Sequence, residues 1–175
     1  MHVTVLVFNG VTSREVLAPL EEIGAATDAT VRYVGRVAGE VYGFDPLQRF
    51  EADTGVDNVE STDLLLVPGG LGSVRMMEDP EVIAWLAATA PRSRYVMSVS
   101  TGSLLLAAAH LLDDEDASGH WLAHDALEAA GAHALSDPVT WRGRFITTAG
   151  AAAAAEVAAQ LPERLVFGPA TDTPS

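Results

Sequence analysis

The sequence predicts an α/β fold, a three-layer sandwich with a mostly parallel central sheet covered by helices on both faces. Three observations carry this. Apolar, β-branched runs alternate with longer runs rich in alanine and leucine. The segments "TDLLLVPGG" (62–70) and "RYVMSV" (94–99) are too apolar for a wet face, as in the middle of a parallel sheet. No linker, internal repeat or composition break divides the 175 residues, so one domain is expected over 1–165 with a tail at 166–175.

The elements follow in order. "HVTVLVFNG" (2–10) reads as a buried strand closed by Asn-Gly. "TSREVLAPLEEIGAAT" (12–27) reads as a helix, with Thr12 or Ser13 as N-cap and Glu15 three residues after Thr12, as in a capping box. "TVRYVGRV" (30–37) is a second strand. Residues 38–60 are polar and contain glycine, consistent with a hairpin or an irregular excursion. After the apolar strand at 62–70, "DPEVIAWLAATAP" (79–91) is a helix with Pro80 in its first turn. "RYVMSV" leads into a helix over 101–112. "HWLAHDALEAAGA" (120–132) is a helix stopped by Gly131. "VTWRGRFITTAG" (139–150) is a strand pair turned at Arg142-Gly143, and "AAAAAEVAAQL" (151–161) is the last helix.

Composition excludes several function classes. The net charge is −14, which repels nucleic-acid phosphates and anionic membranes. All ten basic residues are arginine. Without lysine there is no Schiff base, no pyridoxal phosphate attachment and no P-loop lysine. Without cysteine there is no disulfide, thiolate metal site or thiol nucleophile. No basic leader precedes the first strand and no apolar helix is long enough to span a bilayer, so a cytoplasmic location is expected.

Chemistry concentrates where "SVSTG" joins strand to helix. Ligands of open α/β sheets bind at the carboxyl ends of the strands, and Ser100 lies at such an end. A nucleophile elbow needs small residues two before and two after it, and Ser98 and Gly102 satisfy that rule. The turn would set the Thr101 amide at a helix N-terminus as an anion or oxyanion donor. Gly69 and Gly70, after another central strand, are candidates for a second donor. A serine that merely caps the helix is the competing reading. "PGGLGS" lacks the G-x-G-x-x-G dinucleotide pattern. His120 and His124 are four apart on the expected helix, a spacing that suits a metal, but no HExxH pattern accompanies them and no metal is assigned.

These segments together resemble the ThiJ/PfpI superfamily, whose fold is glutamine-amidotransferase-like and flavodoxin-like. The resemblance rests on "VLVFNGVTSREVLAPLEEI", "DLLLVPGG", "SVSTGSLLLAAAHLL", "SGHW" and "ITTAGAAAAAE", in that order, and covers nearly the whole chain. The most similar branch looks like the isocyanide hydratase-like proteins and the amidase-like domains of some transcription regulators, with a "CTG" elbow and a "THW" segment. The resemblance implies a nucleophile at Ser100, where that branch carries cysteine, and an acid/base carboxyl at Glu15 beside it. It further implies pocket roles for His120, Trp121 and the loop holding Thr147, Thr148, Ala149 and Gly150. Glu21 and Glu22, further along the same helix, are expected in solvent. Tyr42, Phe44 and Trp141 are candidate pocket aromatics.

Serine for cysteine is the main departure, because a hydroxyl is hardly ionised near neutral pH and needs a base. The expectation is therefore a cofactor-free enzyme acting on a small polar or natural-product-like molecule. Hydration, lyase or cyclisation chemistry would run by Glu15 acid/base catalysis, with Ser100 and backbone amides binding the reacting group. A catalytically silent ligand-binding relative, and a Cys-to-Ser inactivated form of a cysteine-dependent hydratase or hydrolase, are the alternatives. Family resemblance also implies a homodimer, with "RYVGRVAGEVYGF" (32–44) as a plausible contact.

Overall fold

The computed structural model describes residues 1–45, 47–58 and 61–167, and no side chain at 166 or 167. Among these residues eleven strands and seven α-helices follow one another: β1 (His2–Leu6), α1 (Ser13–Ala26), β2 (Thr30–Gly35), β3 (Gly39–Tyr42), β4 (Arg49–Ala52), β5 (Thr54–Gly55), β6 (Leu64–Val67), α2 (Ser73–Met76), α3 (Pro80–Thr89), β7 (Tyr95–Val99), α4 (Gly102–Ala108), β8 (Asp116–Ser118), α5 (His124–Ala129), β9 (His133–Leu135), β10 (Val139–Arg142), β11 (Phe145–Thr148), α6 (Ala151–Ala158) and α7 (Leu161–Phe167).

The central sheet has the order β10-β11-β7-β6-β1-β2-β5, and every pairing is parallel except β10 with β11. Its five inner strands, β2-β1-β6-β7-β11, have the 2-1-3-4-5 order of a flavodoxin-like sheet. Every residue of β6 and β7 is buried, as expected of strands with helices on both faces. One helical layer pairs α1 with α6, and the other groups α2, α3, α4 and α5. The α1 face against the core is Val16, Pro19 and Ile23, spaced as successive turns of one stripe. Its partner α6 offers Ala154, Val157 and Ala158, small enough for close approach.

The hairpin expected within 38–60 forms as antiparallel β3–β4, followed by the short edge strand β5. Other element readings need correction. The helix expected over 120–132 is a 3-10 turn at Trp121–Ala123 followed by α5, and residues 133–135 form β9 beside β8. His120 is thus the N-cap of the 3-10 turn and does not share a continuous helix with His124. The helix after the elbow ends at Ala108, well before residue 112. Helix α7 reaches Phe167, so the expected tail at 166–175 begins inside a helix, and its remainder lies outside the described residues. Among the described residues no helix is long and apolar enough to cross a membrane.

Candidate active site

The site lies where the order of the strands reverses, at the carboxyl ends of β1, β6 and β7. Ser100 has φ +59°, a left-handed conformation that costs a non-glycine residue about 1–2 kcal/mol. Its surroundings hold it there. The Ser100 amide donates to the Thr148 carbonyl at 2.8 Å, and Ser103 Oγ donates to the Ser100 carbonyl at 3.0 Å. A Cβ on Gly102 would stand 2.1 Å from the Val67 carbonyl oxygen, which is the steric reason for a small residue two past the elbow. Ser100 is therefore an elbow residue; Thr101 is the N-cap of α4, and no side-chain cap bond is made there.

Glu15 does not act as a capping-box acid. Thr12 is the N-cap of α1, but its side chain makes no cap bond. The Glu15 carboxyl turns instead toward the elbow, where its Oε2 accepts from the Gly69 amide at 2.8 Å. Burial pushes its pKa up from 4.5 to about 7, against the Gly69 amide and the Ser100 hydroxyl, both of which favour the carboxylate. Near neutral pH this carboxyl both holds and releases a proton, as a general acid/base must.

The glycines have different tasks from those expected. The Gly69 amide is committed to Glu15, and the Gly70 amide donates to Thr101 Oγ1 at 2.9 Å. Neither is left as a second oxyanion donor. Ser73 Oγ donates to the Gly70 carbonyl at 2.8 Å and lies 3.1 Å from Thr101 Oγ1. The Thr101 amide has no acceptor among the described residues and is open to a ligand.

A cavity of about 500 Å³ opens above this cluster. Glu15, Gly70, Ser100, Thr101, His120 and Phe44 all line it. His120 Nδ1 accepts from the Leu122 amide at 3.2 Å, so a neutral ring carries its proton on Nε2. The remaining wall is mostly apolar, including Leu71, Val74, Leu104 and Leu122.

Other anticipated residues lie elsewhere. Trp121 is 71% exposed and stacks on His120 with ring centroids 5.8 Å apart, outside the cavity. Thr148 is fully buried beneath the elbow, where its Oγ1 donates to the Ser98 carbonyl at 2.9 Å. Thr147 Oγ1 accepts from the Ser118 amide at 2.8 Å. Ala149 and Gly150 border a different groove, beside Arg14. Tyr42 faces solvent and is bonded to Glu40. Trp141 packs edge-on against Tyr95 at the far side of the sheet. Sequence reasoning missed Thr12, Ser73 and Leu104 in the wall. Leu104 had a legible signal, lying one helical turn past the elbow on the same face.

Among the described residues no three His, Asp or Glu side chains cluster as metal ligands would.

The DJ-1/PfpI family model matches residues 1–164. The isonitrile hydratase of Pseudomonas putida is 32% identical over 166 residues, 95% of this chain and 72% of that protein. The HTH-type transcriptional regulator GbdR of Pseudomonas aeruginosa is 38% identical over 91 residues, 52% of this chain but only 24% of the regulator. A crystal structure of a ThiJ/PfpI family protein from Pseudomonas syringae superposes with a TM-score of 0.84 at 26% identity, covering 99% of this chain and 77% of that one. Sequence and fold thus agree with the strand–elbow–helix geometry, and the chain belongs to the DJ-1/PfpI family.

Proposed function

We propose that this protein is a hydratase-type lyase that adds water to a small isonitrile or similar molecule, with Glu15 moving the proton. One observation carries the reading: a carboxyl of pKa about 7, bonded by the Gly69 amide and touching the elbow serine, faces a largely apolar cavity. The 32% identity to an isonitrile hydratase supports the reaction class.

The reaction turns R–N≡C and water into R–NH–CHO. Protonated Glu15 gives its proton to the terminal carbon. Water attacks that carbon as a π pair moves onto nitrogen. The Glu15 carboxylate then takes a proton from the added water, and the imidic acid tautomerises to the N-formamide. Atoms and charge balance without a cofactor or a bond to the enzyme. Ser100 Oγ and the Thr101 amide orient the water and the polar end of the substrate, His120 presents its Nε2 proton from the opposite wall, and the apolar wall takes the R group. Gly69, Gly70 and Thr148 position the elbow, and Trp121 backs His120. A serine route through a covalent adduct is disfavoured because a carboxylate is a weak base for an alcohol. The reading includes a homodimer, supported by exposed Val37 and Phe44 in the 32–44 segment.

The test assays the protein, Ser100→Cys and Glu15→Gln with an alkyl and an aryl isonitrile, following N-formamide. The reading expects activity in the protein and near-complete loss in Glu15→Gln. Activity only in Ser100→Cys would identify a cysteine-dependent hydratase disabled at its elbow. Inert proteins throughout would overturn the hydratase reading and favour a ligand-binding relative.

A further inference from the structure

Four of the ten arginines line a single groove on a molecule of net charge −14. Arg92 follows α3, Arg94 precedes β7, Arg144 lies in the β10–β11 turn and Arg164 is on α7. The groove encloses about 650 Å³ at the amino-terminal edge of the sheet. The active site lies at the carboxyl end of the same β7 strand, about 17 Å away by strand rise.

The charges here are unusual because they are not neutralised. Arg36, Arg49 and Arg142 elsewhere each pair with one or two carboxylates. Among the described residues, Arg94 alone in the groove has a carboxylate partner, Asp63 at 3.5 Å. Arg144 is held by the carbonyls of Pro91 at 2.7 Å and Ser93 at 3.0 Å, which fix its guanidinium without cancelling its charge. Arg164 lies over the Trp141 ring, 4.4 Å from its centroid, which orients it without cancelling its charge. Arg92 has no partner among the described residues. Three arginines without a carboxylate partner among the described residues thus meet from three segments, two of them held in place, and form a cationic patch.

We propose that this groove binds a small phosphate-bearing anion. Guanidinium forks match the terminal oxygens of a phosphate and are weakly hydrated, so they part with water cheaply. Three uncompensated charges suit a dianion or a diphosphate better than a single carboxylate. The surrounding surface decides the size of the ligand. A long polyanion would run off the groove onto acidic protein, whereas charges beyond about 8 Å are screened at physiological salt and a compact anion feels mainly the arginines.

The experiment is calorimetric titration of the full chain with inorganic pyrophosphate at about 50 mM salt. Saturable one-to-one binding is expected. Arg92→Gln and Arg164→Gln should each weaken it about fivefold or more. The exposed arginines Arg14 and Arg75, replaced by glutamine, should leave it unchanged, as should Glu15→Gln, which separates this site from the hydratase reading. Stronger competition by a sugar monophosphate or by a nucleoside diphosphate tells which kind of phosphate-bearing molecule the groove takes. Absence of saturable binding, or equal weakening in the Arg14 and Arg75 variants, overturns the proposal. Tighter binding of a single-stranded oligonucleotide, lost in the groove variants, would also overturn it in favour of a nucleic-acid surface.

Discussion

The Gly69 amide donates to Oε2 of Glu15 at 2.8 Å, and a side chain at position 69 would destroy the arrangement that the bond serves. A Cβ there would lie 2.5 Å from Thr101 Oγ1, 2.7 Å from Glu15 Oε2 and 2.7 Å from the Thr101 amide nitrogen. Three functional atoms thus converge on one bare Cα.

Gly69→Ala should therefore push the Glu15 carboxyl and the elbow apart. We expect a stability loss of about 1–3 kcal/mol from overpacking, together with at least about a hundredfold loss of turnover. Urea unfolding and the isonitrile assay check both. A stable, fully active Gly69→Ala would show that the site adapts, contrary to this geometry.

Glu15 should make the protein less stable as pH rises. Its carboxyl titrates at about 7 in the folded state and near 4.5 when exposed. Between those values the folded state binds more protons, so unfolding free energy falls with pH and levels off above about 7. Glu15→Gln removes that dependence. It should gain about 3 kcal/mol relative to the parent on moving from pH 4 to pH 8. Denaturant melts across that range provide the measurement, and a pH-independent difference would refute the raised pKa. If protonated Glu15 is the acid, kcat/KM should also fall above about pH 7.

Ser100 holds a left-handed backbone that glycine adopts freely and alanine does not. Ser100→Gly should therefore be more stable than Ser100→Ala by about 1 kcal/mol, although both lose the hydroxyl. Thermal unfolding of the pair isolates the backbone term, and equal stabilities would argue against strain at the elbow.

Thr101 Oγ1 accepts from the Gly70 amide at 2.9 Å. Thr101→Val keeps the shape and strands that partly buried amide, at a cost of about 1–3 kcal/mol, while Ser73 Oγ keeps the Gly70 carbonyl. Thr101→Ser should retain the bond and most of the stability. A valine variant as stable as the serine one would mean that solvent satisfies the Gly70 amide.

Order along the chain was enough to derive the layered α/β architecture, the two central strands and the elbow. Alternation of apolar runs and the small residues Ser98 and Gly102 are local properties that backbone sterics translate directly. Glu15 looked the same locally as a capping acid and as a site acid. Only the reversal of strand order between β1 and β6, which brings α1 against Gly69, decided between them. Gly69 and Gly70 were legible as a turn, but the acceptors that take their amides come from residues 54 and 31 positions away in sequence, beyond the reach of any local pattern. Trp121 was misplaced for a related reason. An apolar ring in a helical stretch reads as wall or core, whereas the 3-10 turn at 121–123 rotates it into solvent. Periodicity and turn chemistry act over a few residues, so the sequence determined the layered strand–helix order and the elbow; desolvation, hydrogen-bond partners and charge convergence depend on segments that meet only in the folded chain, so the tertiary structure decided the burial and bonding of the Glu15 carboxyl and the gathering of the arginines.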